Sequence, residues 1–139
     1  APDTDAKGCY NRAEDYIAVR PDLSQVQTIK TLIHEIAHAK LHKVITDDTG
    51  RTKPRPEREV EAESVAYVVC QYLGVDTSDY TFGYIAGWSK KRELPELKSA
   101  LDTIRKAAAE LIEGLEVREI VPQKTILPQP KKYDRAPVR

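Results

Sequence analysis

The stretch that decides the fold is SQVQTIKTLIHEIAHAKLH, which runs from Ser24 to His42. Ser24 and Gln27 have the spacing of a capping box, in which two side chains satisfy free backbone groups at the start of a helix. Apolar residues then recur with the period of a helix, at Val26, Ile29, Ile33, Ile36 and Ala37. This pattern predicts an α-helix from about Ser24 to His42.

Five residues in the middle of this helix, His34-Glu35-Ile36-Ala37-His38, match the pattern His-Glu-x-x-His. Residues four apart on a helix are neighbours, so both imidazoles can reach one metal ion while Glu35 lies beside them. Zinc takes nitrogen or oxygen ligands in a tetrahedron, and a catalytic site leaves one corner for water. We therefore expect His34 and His38 to hold zinc and Glu35 to act as the general base.

A second helix is predicted from about Glu57 to Leu73, with Gly74 at the position of a C-terminal cap. Its first turns are acidic, and the two histidines leave a third ligand to be found. The carboxylates available there are Glu57, Glu59, Glu61 and Glu63. Glu59 and Glu63 share one helix face, whereas Glu61 points roughly the opposite way, so only one of these two sets can face the metal.

This arrangement resembles that of the thermolysin-like zincins. The resemblance indicates which of the two sets of glutamates faces the metal. Proteins of that class place a glutamate ligand in the helix after the second histidine, with a further acid on the same face that steadies a ligating imidazole. Glu59 follows His38 by 21 positions, and Glu63 occupies the supporting place. The resemblance implies one zinc ion per chain, bound by His34, His38 and Glu59, with Glu63 supporting a ligating histidine.

The remaining histidine, His42, lies on the same helix as His34 but eight residues later. On a straight helix this spacing is a rise of about 12 Å, which is too far for both rings to share one ion. We expect His42 to be solvated or to support a ligand.

The other elements complete the predicted fold. Two short strands, Gly8 to Tyr10 and Tyr16 to Arg20, precede the first helix. A last helix starts at Pro95, and its apolar seam is expected to cover the core with Leu97, Leu101, Ile104, Ala108, Leu111 and Leu115. We predict an α+β, zincin-like fold in which short N-terminal strands pack on a helical core and the metal site lies between two helices. Residues 1–116 form the predicted metallopeptidase domain, and residues 117–139 a basic, proline-rich tail that is extended or disordered.

Two further roles are assigned by analogy with the zincin fold. An edge strand beside the metal pairs there with an extended substrate through backbone hydrogen bonds. We assign this role to the second predicted strand, whose residues are Tyr16, Ile17, Ala18, Val19 and Arg20. A phenol could also stabilise the oxyanion of the reaction. The sequence leaves three candidates open for it, Tyr67, Tyr80 and Tyr84.

The composition limits the class of protein. A chain of 139 residues has room for one domain, and its formal net charge of zero gives no reason to expect a nucleic-acid or membrane surface. No apolar run approaches the roughly 18 residues of a membrane span, and the N-terminus lacks the pattern of a signal peptide. We expect a cytoplasmic protein that binds a protein or peptide substrate, with no membrane or nucleic-acid partner and an oligomeric state that the sequence leaves open.

Two runs carry a closer resemblance, TLIHEIAHAKLH from Thr31 to His42 and EAESVAY from Glu61 to Tyr67. They resemble the ImmA/IrrE metallopeptidases and the related metallopeptidase half of ArdC-type antirestriction proteins of mobile elements. Similarity to the second group extends through YTFGYIAGW, from Tyr80 to Trp88. The resemblance implies a gluzincin-like fold and, as in ImmA/IrrE members, cleavage of a repressor protein. ArdC-type proteins add an N-terminal domain that binds single-stranded DNA, which this chain is expected not to contain.

The interpretation that follows is a zinc metalloendopeptidase that cleaves a protein, such as a repressor or another regulatory protein of a mobile element, through a metal-activated water. The first alternative is a metal-stabilised, antirestriction-type module that binds a partner protein without cutting it and would not need Glu35. The second is a DNA-associated accessory domain. Its support is the basic residues of the tail, Lys131, Lys132, Arg135 and Arg139.

Overall fold

The computed structural model of the protein describes residues 6–76, 87–90 and 92–120, with side chains described up to residue 116. The described elements include two strands, β1 (Gly8–Asn11) and β2 (Tyr16–Val19), and three long helices, α1 (Gln25–Leu41), α2 (Arg55–Leu73) and α3 (Leu94–Ile120). One hairpin combined with these helices makes the fold α+β, as predicted. Within the described residues, no helix is both long enough and apolar enough to cross a membrane.

The two strands form an antiparallel hairpin in which Gly8 lies opposite Val19. Its turn is held by Asn11, whose side-chain oxygen accepts a hydrogen bond from the Glu14 N–H at 2.8 Å. Asp15 follows with a left-handed φ of 57°, a conformation that Asp adopts more easily than most residues. The polar residues between the strands therefore turn the chain, and the hairpin packs against α1.

Gly8 brings the hairpin close to α1. A β-carbon at this position would lie 2.7 Å from Thr31 Cγ2 on α1 and 2.9 Å from the carbonyl oxygen of Ala18 on β2. Both distances are well below the ordinary separation of non-bonded atoms. The same β-carbon would lie 3.5 Å from Glu35 Cγ. A residue without a side chain is therefore needed where β1 crosses the middle of α1.

Helix α1 carries the predicted metal-binding histidines and has nearly the predicted ends. The Ser24 hydroxyl accepts a hydrogen bond from the Gln27 N–H at 3.1 Å, which caps the first turn. At the other end, the His42 N–H donates to the carbonyl oxygen of His38 at 2.7 Å. The buried residues of α1 are Thr31, Ile33, Glu35 and Ala37. Its buried face thus contains a carboxylate.

Helix α2 runs through the centre of the protein. It begins at Arg55, two residues before the predicted start, with Pro56 in its first turn, where the missing N–H of proline costs nothing. Gly74 ends the helix with a left-handed φ of 83°, as predicted for a C-terminal glycine. Every residue from Val60 to Ala66 is buried, so the acidic residues of this stretch lie inside the fold.

The core lies where α2 packs against α1 and α3. Small residues let the helices approach closely, since Ala37, Ala62 and Ala66 are fully buried. Helix α3 contributes Ala100, Ile104, Ala107 and Ala108. The predicted seam of α3 does cover the core, but the prediction is wrong for Leu101, which is 64% exposed. The smaller alanines of α3 take the inward positions instead.

Helix α3 continues to Ile120, so the predicted start of the tail at residue 117 falls inside the helix. Residues 121–139, the rest of the predicted tail, lie outside the described residues. The division into a domain of residues 1–116 and a tail stays a prediction.

Candidate metal centre

Helix α1 presents His34 and His38 on one face, and the first part of α2 presents Glu59 to them. His34 Nε2 and His38 Nε2 lie 3.2 Å apart. Glu59 Oε1 lies 3.2 Å from His34 Nε2, and Glu59 Oε2 lies 3.1 Å from His38 Nε2. Among the described residues, these three form a group whose donor atoms all lie within 4.8 Å of one another. We call His34, His38 and Glu59 the donor group.

The donor group fits a zinc ion. Zinc binds imidazole nitrogen and carboxylate oxygen at about 2.0 to 2.2 Å in a tetrahedron, which places ligand atoms about 3.3 to 3.6 Å apart. The observed separations of 3.1 and 3.2 Å are close to this range. Three protein ligands also leave one tetrahedral corner, as in catalytic sites. The residues therefore match the metal that the sequence predicts.

The outer nitrogen of His34 is held by Glu63. His34 Nδ1 lies 2.7 Å from Glu63 Oε1, and Glu63 Oε2 lies 2.9 Å from Lys30 Nζ. Lys30 precedes His34 by one helical turn on α1, so the carboxylate of α2 bridges two side chains of α1. This is the supporting place that the resemblance to zincins implies for Glu63.

The outer nitrogen of His38 is held by the remaining histidine. His38 Nδ1 lies 2.8 Å from His42 Nδ1, and His42 Nε2 lies 2.8 Å from Glu61 Oε1. His42 is 1% exposed, so the structure places it as the partner of a histidine in the donor group and excludes the solvated position. Glu61 binds His42 and takes no part in the donor group.

The carboxylates around His34 control its protonation. Burial alone lowers the pKa of His34, but the hydrogen bonds and charges of Glu59 and Glu63 outweigh burial and raise this pKa to about 9. Burial raises the pKa of both carboxyl groups, but hydrogen bonds outweigh it. Those from His34 and His38 lower the pKa of Glu59, and those from His34 and Lys30 lower the pKa of Glu63. At neutral pH, a metal ion therefore has to displace the proton of His34.

Glu35 lies beside the donor group on α1 and is 7% exposed. Burial raises the pKa of its carboxyl group, although the nearby rings of His34 and His38 oppose this shift. Within the described residues, no hydrogen bond engages the Glu35 carboxylate. A buried carboxylate with a raised pKa and free oxygens can accept a proton, which is the property that a general base requires.

A cavity of about 580 Å³ lies over the donor group. Strand β1 forms one wall of this cavity with Gly8, Cys9 and Tyr10. The strand predicted to bind substrate, residues 16–20, contributes no lining residue. The sequence predicts both strands of the hairpin, but the structure brings the first strand to the cavity, because Gly8 packs directly on α1.

The rim of the cavity is basic. The acidic residues that line it are Glu35 and the carboxylates that contact His34, whereas five lining residues are cations, Lys7, Arg12, Lys30, Arg55 and Arg58. Lys30 is paired with Glu63, and Arg12 Nε donates to the carbonyl oxygen of His42 at 2.8 Å. Of the other three cations, Lys7 and Arg55 are exposed and Arg58 is partly buried.

The structure places the three candidate phenols as follows. Tyr67 is partly buried on α2 and does not line the cavity. Tyr80 and Tyr84 lie outside the described residues. Tyr10, which no sequence pattern singles out, does line the cavity, and its hydroxyl donates to Asp15 Oδ1 at 2.9 Å. Strand periodicity alone could not reveal it, since the site-facing side of a strand depends on how the hairpin crosses α1.

A His-Glu-x-x-His helix whose histidines meet a glutamate of a second helix is typical of metallopeptidase-like domains. Residues 2–71 match the model of the peptidase family M78, described as the IrrE N-terminal-like domain, and the chain belongs to this family. The match contains the whole donor group and Glu35. It confirms the predicted kinship with the ImmA/IrrE proteins, while the closer link to ArdC-type proteins stays a prediction.

An uncharacterized protein of Bacillus anthracis is 31% identical to the chain over 94 residues, which are 67% of this chain. The aligned region spans 15% of the length of that protein. No solved structure matches the chain significantly.

Proposed function

We propose that the chain is a zinc-dependent metalloendopeptidase domain that holds one zinc ion through His34, His38 and Glu59. The observation that carries this proposal is the contact of the Glu59 carboxylate with both histidines, one oxygen 3.2 Å from His34 Nε2 and the other 3.1 Å from His38 Nε2. The Glu35 carboxylate beside them is buried and has no hydrogen bond within the described residues. Membership of a peptidase family supports the same chemistry.

In the proposed hydrolysis, the donor group holds the metal and Glu35 transfers the proton. When bound, zinc supplies Lewis acidity, which makes water acidic near neutral pH and polarises the scissile carbonyl group. Glu35 accepts the proton of the attacking water and then passes it to the leaving amine. Its raised pKa suits both steps, because a base whose pKa lies nearer neutrality can also return the proton.

Within the described residues β1 pairs with β2 alone, and the other edge of β1 is the proposed substrate-binding edge. The Arg20 N–H donates to the Lys7 carbonyl oxygen at 2.9 Å, so Lys7 belongs to a hydrogen-bonded pair of the hairpin. Such pairs alternate along an antiparallel ladder. Consequently the backbone groups of Gly8 and Tyr10 point away from β2, toward the free edge. An extended peptide can add there as a third strand and pass over the donor group.

The basic rim favours a peptide with acidic side chains near the cleaved bond, because opposite charges attract a substrate to the cavity. The family resemblance suggests where to look for it, in a repressor or another regulatory protein encoded on the same mobile element. A cytoplasmic location goes with such a substrate and stays a prediction.

The first experiment measures the metal in the purified protein by elemental analysis. We expect about one zinc ion per chain in the wild type and very little in His38→Ala, because two donors bind zinc far more weakly than three. The zinc-loaded protein is then incubated with a random peptide library, in which cleaved sequences should be enriched in Asp and Glu. A wild type without zinc would overturn the proposal at its first step.

A further inference from the structure

Behind His38 lies a chain of four polar side chains, which we call the His38 relay: His38, His42, Glu61 and Lys53. His38 Nδ1 lies 2.8 Å from His42 Nδ1, and His42 Nε2 lies 2.8 Å from Glu61 Oε1. Lys53 Nζ lies 3.0 Å from each oxygen of Glu61. The relay therefore connects the donor group to the segment that precedes α2.

The middle of the relay is buried. His42 is 1% exposed and Glu61 is 2% exposed, whereas the Lys53 side chain is 28% exposed and reaches the surface. Burying a polar group is costly unless it forms hydrogen bonds. In the relay both ring nitrogens of His42 and both oxygens of Glu61 have partners. The cost of burial is thus offset only while the whole chain stays intact.

Ring chemistry sets the direction of the hydrogen bonds. A neutral imidazole that offers Nε2 to a metal carries its proton on Nδ1, so His38 Nδ1–H donates to His42 Nδ1. Since His42 Nδ1 accepts, the proton of His42 lies on Nε2 and donates to Glu61. The ionised carboxylate of Glu61 can only accept, from His42 and from Lys53, so the same two ring protons follow from Glu61 alone, and the N–H of each imidazole in the relay has an acceptor. This arrangement allows His38 a single tautomer.

Hydrogen bonds that involve the backbone hold two members of the relay, His42 and Lys53. The carbonyl oxygen of His42 accepts from Arg12 Nε at 2.8 Å, which joins the end of α1 to the turn of the hairpin. The Lys53 N–H donates to the carbonyl oxygen of Ile45 at 2.8 Å, next to the bridge between Thr46 and Thr52. Both His42 and Lys53 are therefore held by residues that are not members of the donor group, Arg12 and Ile45.

We propose that His42 and Glu61 are positioning residues that hold His38 in the tautomer and orientation in which Nε2 faces the metal. This inference rests on the zinc site of the proposed function. It gives His38 a support that matches the one His34 receives from Glu63, although the carboxylate acts through a second imidazole. Partners of this kind strengthen metal binding without touching the metal.

The test compares variants that keep or remove the hydrogen-bond acceptor at each position of the relay. His42→Phe keeps the ring volume and removes both nitrogens, whereas His42→Asn places an amide oxygen near the position of Nδ1. Glu61→Met removes the oxygen that accepts the His42 Nε2–H, whereas Glu61→Gln keeps an oxygen in that position. Ser64→Ala is the matched control, because Ser64 is also a buried polar residue of α2 but lies outside the relay.

Two quantities are measured, the zinc dissociation constant by competition with a chelator and the visible absorption of the cobalt(II)-substituted protein. We expect His42→Phe and Glu61→Met to raise the zinc dissociation constant by about tenfold to a hundredfold and to alter the cobalt spectrum. His42→Asn and Glu61→Gln should stay close to the wild type, as should Ser64→Ala. Recovery by the conservative variants separates positioning from a loss of packing.

Equal zinc affinity and equal cobalt spectra in all folded variants would overturn the proposal. It would also be overturned if both substitutions of His42, or both substitutions of Glu61, weakened zinc binding equally. If the two acceptor-removing variants fail to fold, loss of zinc affinity in both His42→Asn and Glu61→Gln overturns it, and retention supports it. Zinc binding by the wild type distinguishes a failure of the relay proposal from a failure of the proposed zinc site. A wild type that binds neither zinc nor cobalt removes the metal site itself, whereas failure of the relay leaves wild-type binding intact.

Discussion

His34 Nδ1 and Glu63 Oε1 lie 2.7 Å apart across the interface of α1 and α2. The Glu63 side chain is 7% exposed, so little solvent competes for this hydrogen bond. The bond turns the His34 ring so that its other nitrogen faces His38 and Glu59. A carboxylate in this place orients a ligand and makes it more basic without binding the metal itself.

Replacing Glu63 should therefore weaken zinc binding without abolishing it. We expect Glu63→Ala to raise the zinc dissociation constant by roughly tenfold to a hundredfold, as losses of supporting partners do. Glu59→Ala removes a ligand and should cost far more affinity. Competition with a chelator of known affinity measures both variants. Glu57→Ala is the control, because Glu57 lies on the same helix and pairs with Arg51 at 3.3 Å, outside the donor group.

The opposite ranking would reverse the assignment of the two glutamates. If Glu59→Ala keeps full zinc affinity while Glu63→Ala loses it, Glu63 is the ligand and Glu59 its support. Equal affinity of Glu63→Ala and the wild type would show that the hydrogen bond to His34 does not support the metal.

Zinc uptake should release a proton, because the pKa of His34 is raised to about 9. At pH 7 the ring is protonated, and only the neutral ring binds zinc. Zinc affinity should therefore rise about tenfold for each unit of pH below that pKa, and the rise should end as pH passes through it. Calorimetric titration at pH 7, in two buffers with different enthalpies of ionisation, counts the protons released. A release of none would contradict the raised pKa.

Gly8→Ala should destabilise the fold where the hairpin meets α1. The new β-carbon would lie 2.7 Å from Thr31 Cγ2 and 2.9 Å from a backbone oxygen, so the strand or the helix has to move. Overpacking of this kind costs about 1 to 3 kcal/mol, which urea denaturation measures. Gly114→Ala on α3 is the matched control. It has no atom within 4 Å of the new β-carbon and should raise stability by about 0.5 to 1 kcal/mol.

His34, Glu35 and His38 could be predicted from the sequence because they lie on one helix, where spacing alone defines which side chains are neighbours. The prediction of Glu59 as the third ligand needed more than the spacing of residues along the sequence. Helical geometry reduces four glutamates to two opposed faces, but the face that meets α1 depends on how two helices pack, and only the resemblance to zincins chose between them. The structure places Glu59 against both histidines.

The parts that the sequence could not predict all depend on contacts between distant segments. Helical rise shows that His42 cannot share a metal with His34, but its burial depends on how α1 packs against α2, where Glu61 accepts its hydrogen bond. Similarly, strand propensity predicts both strands of the hairpin, but the close packing of Gly8 on α1 decides which of them lines the cavity. Leu101 is exposed because neighbouring alanines of α3 fit the core better.

Glu35→Gln distinguishes a peptidase from a module that binds its partner without cutting it. The substitution keeps the size of the side chain and removes its ability to accept a proton. Zinc content should barely change, because Glu35 is not in the donor group. Thermal stability should not fall either, since no hydrogen bond within the described residues holds this carboxylate. A metal that only stabilises the fold would give the same two results, so cleavage is the decisive measurement.

For cleavage, we expect Glu35→Gln to lower the turnover of a peptide substrate by about a hundredfold to ten-thousandfold, the usual contribution of a general base. The substrates tested are candidate repressor or partner proteins of the kind proposed above and peptides selected from the library. Mass spectrometry of the products follows the reaction, with Glu57→Gln as a control that keeps Glu35. If the wild type and Glu35→Gln bind that partner equally well and neither cleaves it, the peptidase proposal fails and the zinc site serves binding alone.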